Sequence, residues 1–335
     1  MKKINIKLIA FYINILHYNK TMGIKQLNKL IRLYTPLSSV RIDTFKNKTI
    51  AIDIMIYMYK YLATDTLLEN MYSFCILLTQ NNITPLFIFD GEKPKEKQAE
   101  LDRRRKNRRK AWEKYDHIQN NLDENTKNNI EIQKELSRLK RQCVKIKHTH
   151  IKDVKELLKC FGLQYIVAEG EADKLCAEMV IHNKAYACMS DDMDLFMYGC
   201  PRVLRLFNIQ KKTAILYDLK IILEHLNINH FIDFQVMCVL SGTDYNIEYN
   251  KNNIFKIYNK YVYYINRFKS STGFLTWMTN KTETYNFDKI MKTLELFYIG
   301  RTISTHELVE NSFMDKINLY KLLEKEYFLN PITVY

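Results

Sequence analysis

The sequence predicts an α/β protein: a mostly parallel central sheet flanked by helices, with a helical insertion and a helical C-terminal region. Three observations predict it. Five short apolar runs end in polar residues, helical patterns alternate with them, and one long charged stretch breaks the alternation. The first run, Thr49–Ile52, closes at Asp53. A helical pattern covers Met55–Leu62 and another Leu67–Gln80. The run Pro85–Phe89 closes at Asp90. After the break, Val154–Phe161 is helical, Gln164–Val167 leads to Glu169, and Ala172–His182 is helical. Ala185–Met189 then leads to Asp191, Asp192 and Asp194, and Val203–Phe207 is a further β-like run. Residues 92–150 are polar, charged and helical in character, without a strand signal. Beyond Asp244 the chain turns helical and rich in Tyr, Lys and Asn, so a domain change is placed near Asn246.

Composition narrows the function classes. The chain has 335 residues, 47% hydrophobic and 26% charged, enough to bury a sizeable core. Its 51 Lys and Arg against 37 Asp and Glu give a net charge of +14, which points to a polyanionic partner, nucleic acid before an anionic membrane. The 8 glycines form neither G-x-G-x-x-G nor G-x-x-x-x-G-K-[ST], which disfavours a dinucleotide enzyme or a P-loop motor. The 7 cysteines show no C-x-x-C and no paired Cys/His spacing, so they read as reduced thiols of an intracellular protein rather than zinc ligands. Leu8–Leu16 is apolar but short, no small-residue cleavage site follows it, and no apolar stretch reaches the ~18 residues of a spanning helix.

Acidic residues recur at the C-terminal ends of the expected strands, the edge where open parallel sheets bind ligands. Asp53 and Asp90 stand there singly, Glu169 and Glu171 form one pair, Asp192 and Asp194 another, and Asp244 follows an apolar helix. Seven carboxylates converging on one edge require cations, and hard oxygen donors select Mg²⁺ or Mn²⁺. Each acid alone is also explained as a helix cap or a first-turn acid. Directly after Asp90, residues Glu92 to Lys110 hold ten Lys or Arg and four acids, a net of +6. A cationic helix rising from a carboxylate edge would grip a phosphate backbone. The plainer alternative is a solvated helix face.

These residues resemble the flap endonucleases and the wider structure-specific 5′ nucleases of the xeroderma pigmentosum G type. Met22-Gly23-Ile24-Lys25-Gln26-Leu27 is similar to the family's N-terminal MGI-x-x-L, and Ala51-Ile52-Asp53 to its first metal-ligand motif. Phe89-Asp90-Gly91 with Lys93-Pro94 resembles FDG-x-P. EGEAD at 169–173, SDDMD at 190–194 and SGTDY at 241–245 resemble E-A-E-A, E-D-M-D and G-S-D-Y. The resemblance covers Met22 to Tyr245. Within these limits 22–245 is expected to be a PIN-like 5′ nuclease core, with 92–150 as its helical arch. Residues 246–335 are expected to form a helical DNA-binding region, and 1–21 an N-terminal extension that is untranslated or disordered.

The resemblance implies a Mg²⁺-dependent nuclease, with two Mg²⁺ per active site and Mn²⁺ able to substitute, that cuts 5′ flaps, nicks or gaps in replication, recombination or repair. It assigns Asp53, Asp90, Glu169, Glu171, Asp192, Asp194 and Asp244 to the metals. Lys97 and Arg104 become phosphate-steering catalytic cations, seven residues apart and so on one face of a helix. Tyr59 becomes a base-stacking aromatic. Gly23, Lys93, Arg103, Arg105, Arg108, Arg109, Lys251, Lys256 and Lys260 are further expected DNA contacts. The implied partner is DNA with single-strand/double-strand junctions, alongside other replication or recombination proteins, and no membrane. Two departures stand out. The family's Gly-apolar-Gly hairpin after the last Asp is absent, since no glycine lies between Gly242 and Gly273, and no sliding-clamp motif is seen in the tail. These, with a composition low in Gly and Pro and rich in Lys, Asn, Ile and Tyr, as AT-rich codons produce, look most like the flap-endonuclease-like proteins of poxviruses, which would act in host cytoplasm; other members would be nuclear. Two further readings stay open: a catalytically inactive DNA-binding scaffold of the same fold, and a basic RNA- or membrane-binding protein.

Overall fold

The computed structural model describes residues 23–122, 129–268, 273–281, 285–300, 308–309 and 314–325. The expected extension 1–21 and Met22 lie outside them, as does the side chain of Lys251. The chain divides into two compact units. One comprises Met1–Pro36, Asp192–Met197 and Ile221–Tyr298; the other comprises Leu37–Asp191, Tyr198–Lys220 and Ile299–Tyr335.

The second unit holds the sheet. Its strands are β1 (Ser38–Arg41), β2 (Thr49–Asp53), β3 (Thr84–Phe89), β4 (Gln164–Val167), β5 (Ala187–Met189), β6 (Arg202–Asn208), β7 (Thr213–Asp218) and β8 (Leu308–Val309), in spatial order β1-β7-β6-β5-β2-β3-β4-β8. The five central strands β6, β5, β2, β3 and β4 are parallel, and β7, β1 and β8 add antiparallel edges. Thr49–Asp53 and Thr84–Phe89 form central strands because they are continuous apolar runs, which suits a parallel strand covered on both faces. Helices α2 (Ile54–Leu62), α3 (Leu67–Gln80), α6 (His148–Cys160) and α7 (Ala172–Ile181) supply the crossovers. Tyr57, Phe74, Phe87 and Phe207 pack in the core, with Phe74 4.9 Å from Phe207 and 5.0 Å from Tyr57 between ring centroids.

The segment expected as a helical insertion carries α4 (Gln98–Asn120) and α5 (Ile130–Cys143), which pack on each other. Asn129 caps α5 by accepting from the backbone N–H of Glu131 at 2.9 Å. Three strands were not expected. Ser38–Arg41 is a mostly exposed edge strand with no apolar alternation, Thr213–Asp218 returns antiparallel beside β6, and Leu308–Val309 is two residues long.

The first unit is helical. It contains α1 (Leu27–Tyr34), α9 (Phe231–Leu240), α10 (Ile254–Phe268), α11 (Phe274–Lys281) and α12 (Phe287–Leu296), while α8 (Leu219–His225) straddles the boundary between units. The apolar helix α9 is its centre and packs against α10, α11 and α12. Tyr34 at the end of α1 lies 5.1 Å from the Tyr258 ring on α10. Among the described residues no helix is long and apolar enough to cross a membrane.

Candidate active site

In the sheet unit, four of the expected acids stand at the C-terminal ends of three adjacent parallel strands. Asp53 is the last residue of β2, paired in register with Ile88 of β3, so Asp90 follows just beyond; Phe89 pairs with Val167 of β4, two residues before Glu169. Asp53 is buried and caps α2, accepting from the N–H of Met55 at 3.2 Å, and its other oxygen accepts from Ser190 Oγ at 3.0 Å. One oxygen of Asp90 accepts from the N–H of Ala172 at 2.9 Å, the first residue of α7, and the other pairs with Lys93. Capping accounts for one face of each carboxylate, so the two explanations offered by sequence are not exclusive.

The glycine of FDG has a geometric cause. A Cβ on Gly91 would collide with the carbonyl oxygen of Ala168 and lie 2.7 Å from that of Glu169. Only a bare backbone lets 91–92 run against 169–170, where Gly91 N–H donates to Gly170 O at 2.7 Å and Glu92 N–H to Glu169 O at 3.0 Å. These bonds stitch the start of the cationic segment to the strand end carrying Glu169 and Glu171. Glu169 is exposed, and Glu171 is buried in an ion pair with Lys97 at 2.6 Å.

Lys97 does not share a helix with Arg104, as the seven-residue spacing predicted. Pro94 is followed by a 3₁₀ turn over Lys95–Lys97, and Lys97 is the N-cap of α4. A proline disfavours the α conformation in the residue before it, and the turn after it sets Lys97 inward. Arg103 and Arg104 both bind Glu100, which is 1% exposed: Arg103 through Nε and Nη2 at 2.5 and 2.6 Å, Arg104 through Nε at 2.7 Å. Arg105 pairs with Asp102 and Arg109 with Glu113 on the exposed face, where Arg108 is half-buried. Glu100 escaped sequence analysis because an acid inside a basic run reads as charge balance. Trp112 escaped it too; it is exposed and stacks on Tyr115 with centroids 5.9 Å apart. Tyr59 is exposed on α2, available to a partner ring.

In the helical unit, Asp192 and Asp194 are buried side by side, Asp192 Oδ1 accepting from the N–H of Asp194 at 3.0 Å. Gly23, with φ of 73°, lies directly on them; a Cβ there would strike Asp194 and come within 2.7 Å of Asp192 Oδ1. The glycine of the N-terminal motif thus belongs to the acid pair. Asp244 is buried after α9, in a turn fixed by Asn246, whose Oδ1 accepts from Thr243 N–H at 2.7 Å and Oγ1 at 2.6 Å, while its Nδ2 donates to Val239 O at 2.8 Å. Lys256 and Lys260 are exposed one turn apart on α10. In place of a glycine hairpin, a 3₁₀ turn over Ile247–Lys251 leads into α10, and Asn252 Nδ2 closes it on Leu240 O at 2.7 Å.

Asp191 of the SDDMD motif has a separate task. Its carboxylate accepts from Leu206 N–H at 2.6 Å and its carbonyl from Arg205 Nη2 at 2.7 Å, holding the irregularity in β6 where Leu206 adopts a φ of 53°. The donor set is all carboxylate oxygen, the chemistry of a Mg²⁺ or Mn²⁺ ligand set. Among the described residues no three His, Cys, Asp or Glu side chains already converge on one ion position; Glu171 is engaged by Lys97 and Asp90 by Lys93.

The family model described as the XPG N-terminal domain matches residues 22–111, and that described as the XPG I-region matches 162–244. The chain is 31% identical over 228 residues to flap endonuclease 1 of Methanococcus aeolicus, covering 63% of this chain and 67% of that one. The chain belongs to the flap endonuclease and XPG-type nuclease family. Members of this family are metal-dependent, structure-specific nucleases that hydrolyse DNA phosphodiester bonds. Flap endonuclease 1 of Entamoeba histolytica is 32% identical over 248 residues, and this chain spans 62% of its length. Among solved structures, flap endonuclease-1 from Methanococcus jannaschii shares the fold at a TM-score of 0.62 and 22% identity, over 92% of this chain and 94% of that one. The catalytic core of Rad2, solved in complex with a DNA substrate, shares it at a TM-score of 0.61 and 20% identity, over 93% and 100%. The matched segments include all seven acids, and the break between the two family models, 112–161, covers most of α4–α6.

Proposed function

We propose that this flap endonuclease family member is a Mg²⁺-dependent structure-specific DNA nuclease, cutting at 5′ flaps, nicks or gaps in replication, recombination or repair. The observation that carries the reading is the sheet edge itself: Asp53, Asp90, Glu169 and Glu171 stand at adjacent strand ends, and the cationic segment is stitched to that edge through Gly91. Metal ligation is assigned to these four acids and to Asp192, Asp194 and Asp244, with two ions per site and Mn²⁺ able to replace Mg²⁺. Divalent ions held there would supply Lewis acidity toward a phosphodiester at neutral pH.

The chain's own residues do the rest. Ser190 and the Met55 N–H fix the Asp53 carboxylate, and the Ala172 N–H fixes that of Asp90, so neither has to reorganise when substrate arrives. Lys97 and Arg104 offset negative charge developing on the phosphate. Gly23, Tyr59, Lys93, Arg103, Arg105, Arg108, Arg109, Lys251, Lys256 and Lys260 contact the DNA, with Tyr59 stacking on a base. The core 22–245 carries the chemistry and 246–335 grips DNA at a junction, working inside the cell with other replication or recombination proteins. The test is cleavage of labelled flap, gap, nick and four-way-junction DNA in Mg²⁺, with EDTA as control. EDTA-sensitive cutting that favours junctions over plain duplex is expected; binding of all four without cutting in either Mg²⁺ or Mn²⁺ would leave only a scaffold.

A further inference from the structure

Helix α6 carries His148, Lys152, Lys155 and Lys159 at intervals of four, three and four residues, which places them on one face. With Ile151, Glu156 and Tyr165 they line a cavity of 420 Å³. Glu156 is the one acid in that lining. Over eleven residues the row extends about 16 Å along the helix, at 1.5 Å per residue. Lys155 is half-buried, its ammonium 5.0 Å from the ring centroid of Phe89 and 5.4 Å from that of Tyr165. Burial pushes its pKa down. Among the described residues neither it nor Lys152 nor Lys159 forms an ion pair. A half-buried ammonium without a carboxylate is costly unless an anion arrives. The helix also begins against its own dipole: its first turn holds no acid, and exposed Lys145 and Lys147 precede it.

We propose that this face of α6 is a second DNA contact, in which Lys152, Lys155 and Lys159 hold successive phosphates of a strand beyond the one being cut. The proposal takes its partner from the nuclease reading. A mononucleotide would call for cations converging on a point, whereas these follow a line. Topology gives the line a direction. Helix α6 joins β4 through residues 161–163, so it packs antiparallel to that strand. Its His148 end therefore lies toward the edge where β4 ends at Glu169, and the row leads away from that edge. Tyr165 and Phe89 form an apolar bed that holds Lys155 in place.

The test uses the full chain with Lys152→Gln, Lys155→Gln and Lys159→Gln combined, and a labelled 5′-flap DNA. Affinity is read by anisotropy in EDTA across a salt series, and cleavage in Mg²⁺ as a single-turnover rate at saturating protein. The triple variant is expected to lose about tenfold in affinity and to flatten the plot of log affinity against log salt by about 2 to 3. The single-turnover rate is expected to be unchanged. Should the triple variant not fold, Lys152→Gln and Lys159→Gln, both exposed, should each remove about 0.9 from the slope. An unchanged slope and affinity in a wild type that cleaves would overturn the contact and leave the nuclease reading intact. A lowered slope in a protein that never cleaves would do the reverse. A wild type that binds no DNA overturns both. If deoxyadenosine monophosphate or polyglutamate displaces flap DNA from the wild type and the triple variant escapes that competition, the face serves a small ligand or an acidic protein and the proposal fails.

Discussion

The Lys97 ammonium lies 2.6 Å from Oε1 of Glu171, 74 residues further along the chain, and both side chains are buried. The pair joins the turn that opens α4 to the strand end that precedes α7. It also sets a competition, because Glu171 is one of the acids assigned to metal. Removing one partner of a buried pair strands the other charge, which costs about 3–5 kcal/mol. Lys97→Met is therefore expected to lower stability by about that amount in urea unfolding without divalent ions. Adding Mg²⁺ should raise the melting temperature of Lys97→Met more than that of the wild type, since a second cation then relieves Glu171. The double variant Lys97→Met, Glu171→Leu should regain most of the stability and lose this extra response. Equal Mg²⁺ responses in wild type and Lys97→Met would remove Glu171 from the metal site.

Gly23→Ala tests whether the Met-Gly motif serves the acid pair. The residue sits at a φ of 73°, and its Cβ would press on Asp194 and Asp192. The left-handed backbone alone costs an alanine about 1–2 kcal/mol. Turnover should fall by about 100-fold, the usual effect of a 1 Å displacement in a reactive constellation. Wild-type turnover in a folded Gly23→Ala protein would separate this glycine from catalysis.

Adjacent aspartates should fail in opposite ways. Asp191→Ala leaves the Leu206 N–H without its carboxylate and should cost about 1–3 kcal/mol, seen as a lower urea midpoint. Asp192→Ala and Asp194→Ala should abolish cleavage while DNA affinity stays within about tenfold, because removing negative charge does not weaken attraction to phosphate. More than a few per cent of wild-type turnover in both variants would take them out of the metal set.

The legible part of this protein is the part written in short-range pattern. Strands β2 to β5 and the helices between them follow from apolar runs closed by an acid, and those acids stand where the runs end. Ser38–Arg41 left no trace because an exposed edge strand needs no apolar alternation. The partners of the acids were equally invisible. Ser190 reaches Asp53 across 137 residues and Lys97 reaches Glu171 across 74, distances no periodicity spans. The placement of Lys97 failed for a local reason: helix spacing was applied from Lys97 to Arg104, but Lys97 ends the 3₁₀ turn that follows Pro94 and only caps the helix. The cation row of α6 was present in the sequence, but its face became a cavity only once β4 supplied Tyr165.

The seven cysteines give a check on the fold that needs no substrate. Six are buried and Cys143 is half-buried at the end of α5. Burial pushes the Cys176 thiol up to about 11 and those of Cys188 and Cys238 well above the usual range. The thiolate is the reactive form. At pH 8 a disulfide reagent such as dithionitrobenzoate should therefore modify one thiol quickly in the native protein and all seven after denaturation. Cys143→Ser should abolish the fast phase. A fast phase of two or more thiols would mean that the two units do not bury their cysteines as described.

The last expectation separates cations that act on the reacting phosphate from cations that only hold DNA. Arg104 is clamped through Nε by Glu100, which is buried, and so its guanidinium is held in a fixed orientation. Arg109 is fully exposed, and its pair with Glu113 is screened by salt and easily exchanged for a phosphate. A clamped guanidinium suits a transition-state contact, and a loose one suits the bulk backbone. Arg104→Ala should therefore slow single-turnover cleavage more than it weakens binding. Arg108→Ala and Arg109→Ala should each weaken binding and reduce the salt slope by about 0.9 while leaving the single-turnover rate unchanged. Glu100→Gln removes the charge that clamps Arg103 and Arg104 without removing either arginine, and should slow cleavage in the same manner as Arg104→Ala. If Arg104→Ala, Arg108→Ala and Arg109→Ala all lose affinity alike and cleave at the wild-type single-turnover rate, the segment is an electrostatic tether and Arg104 has no part in the chemical step.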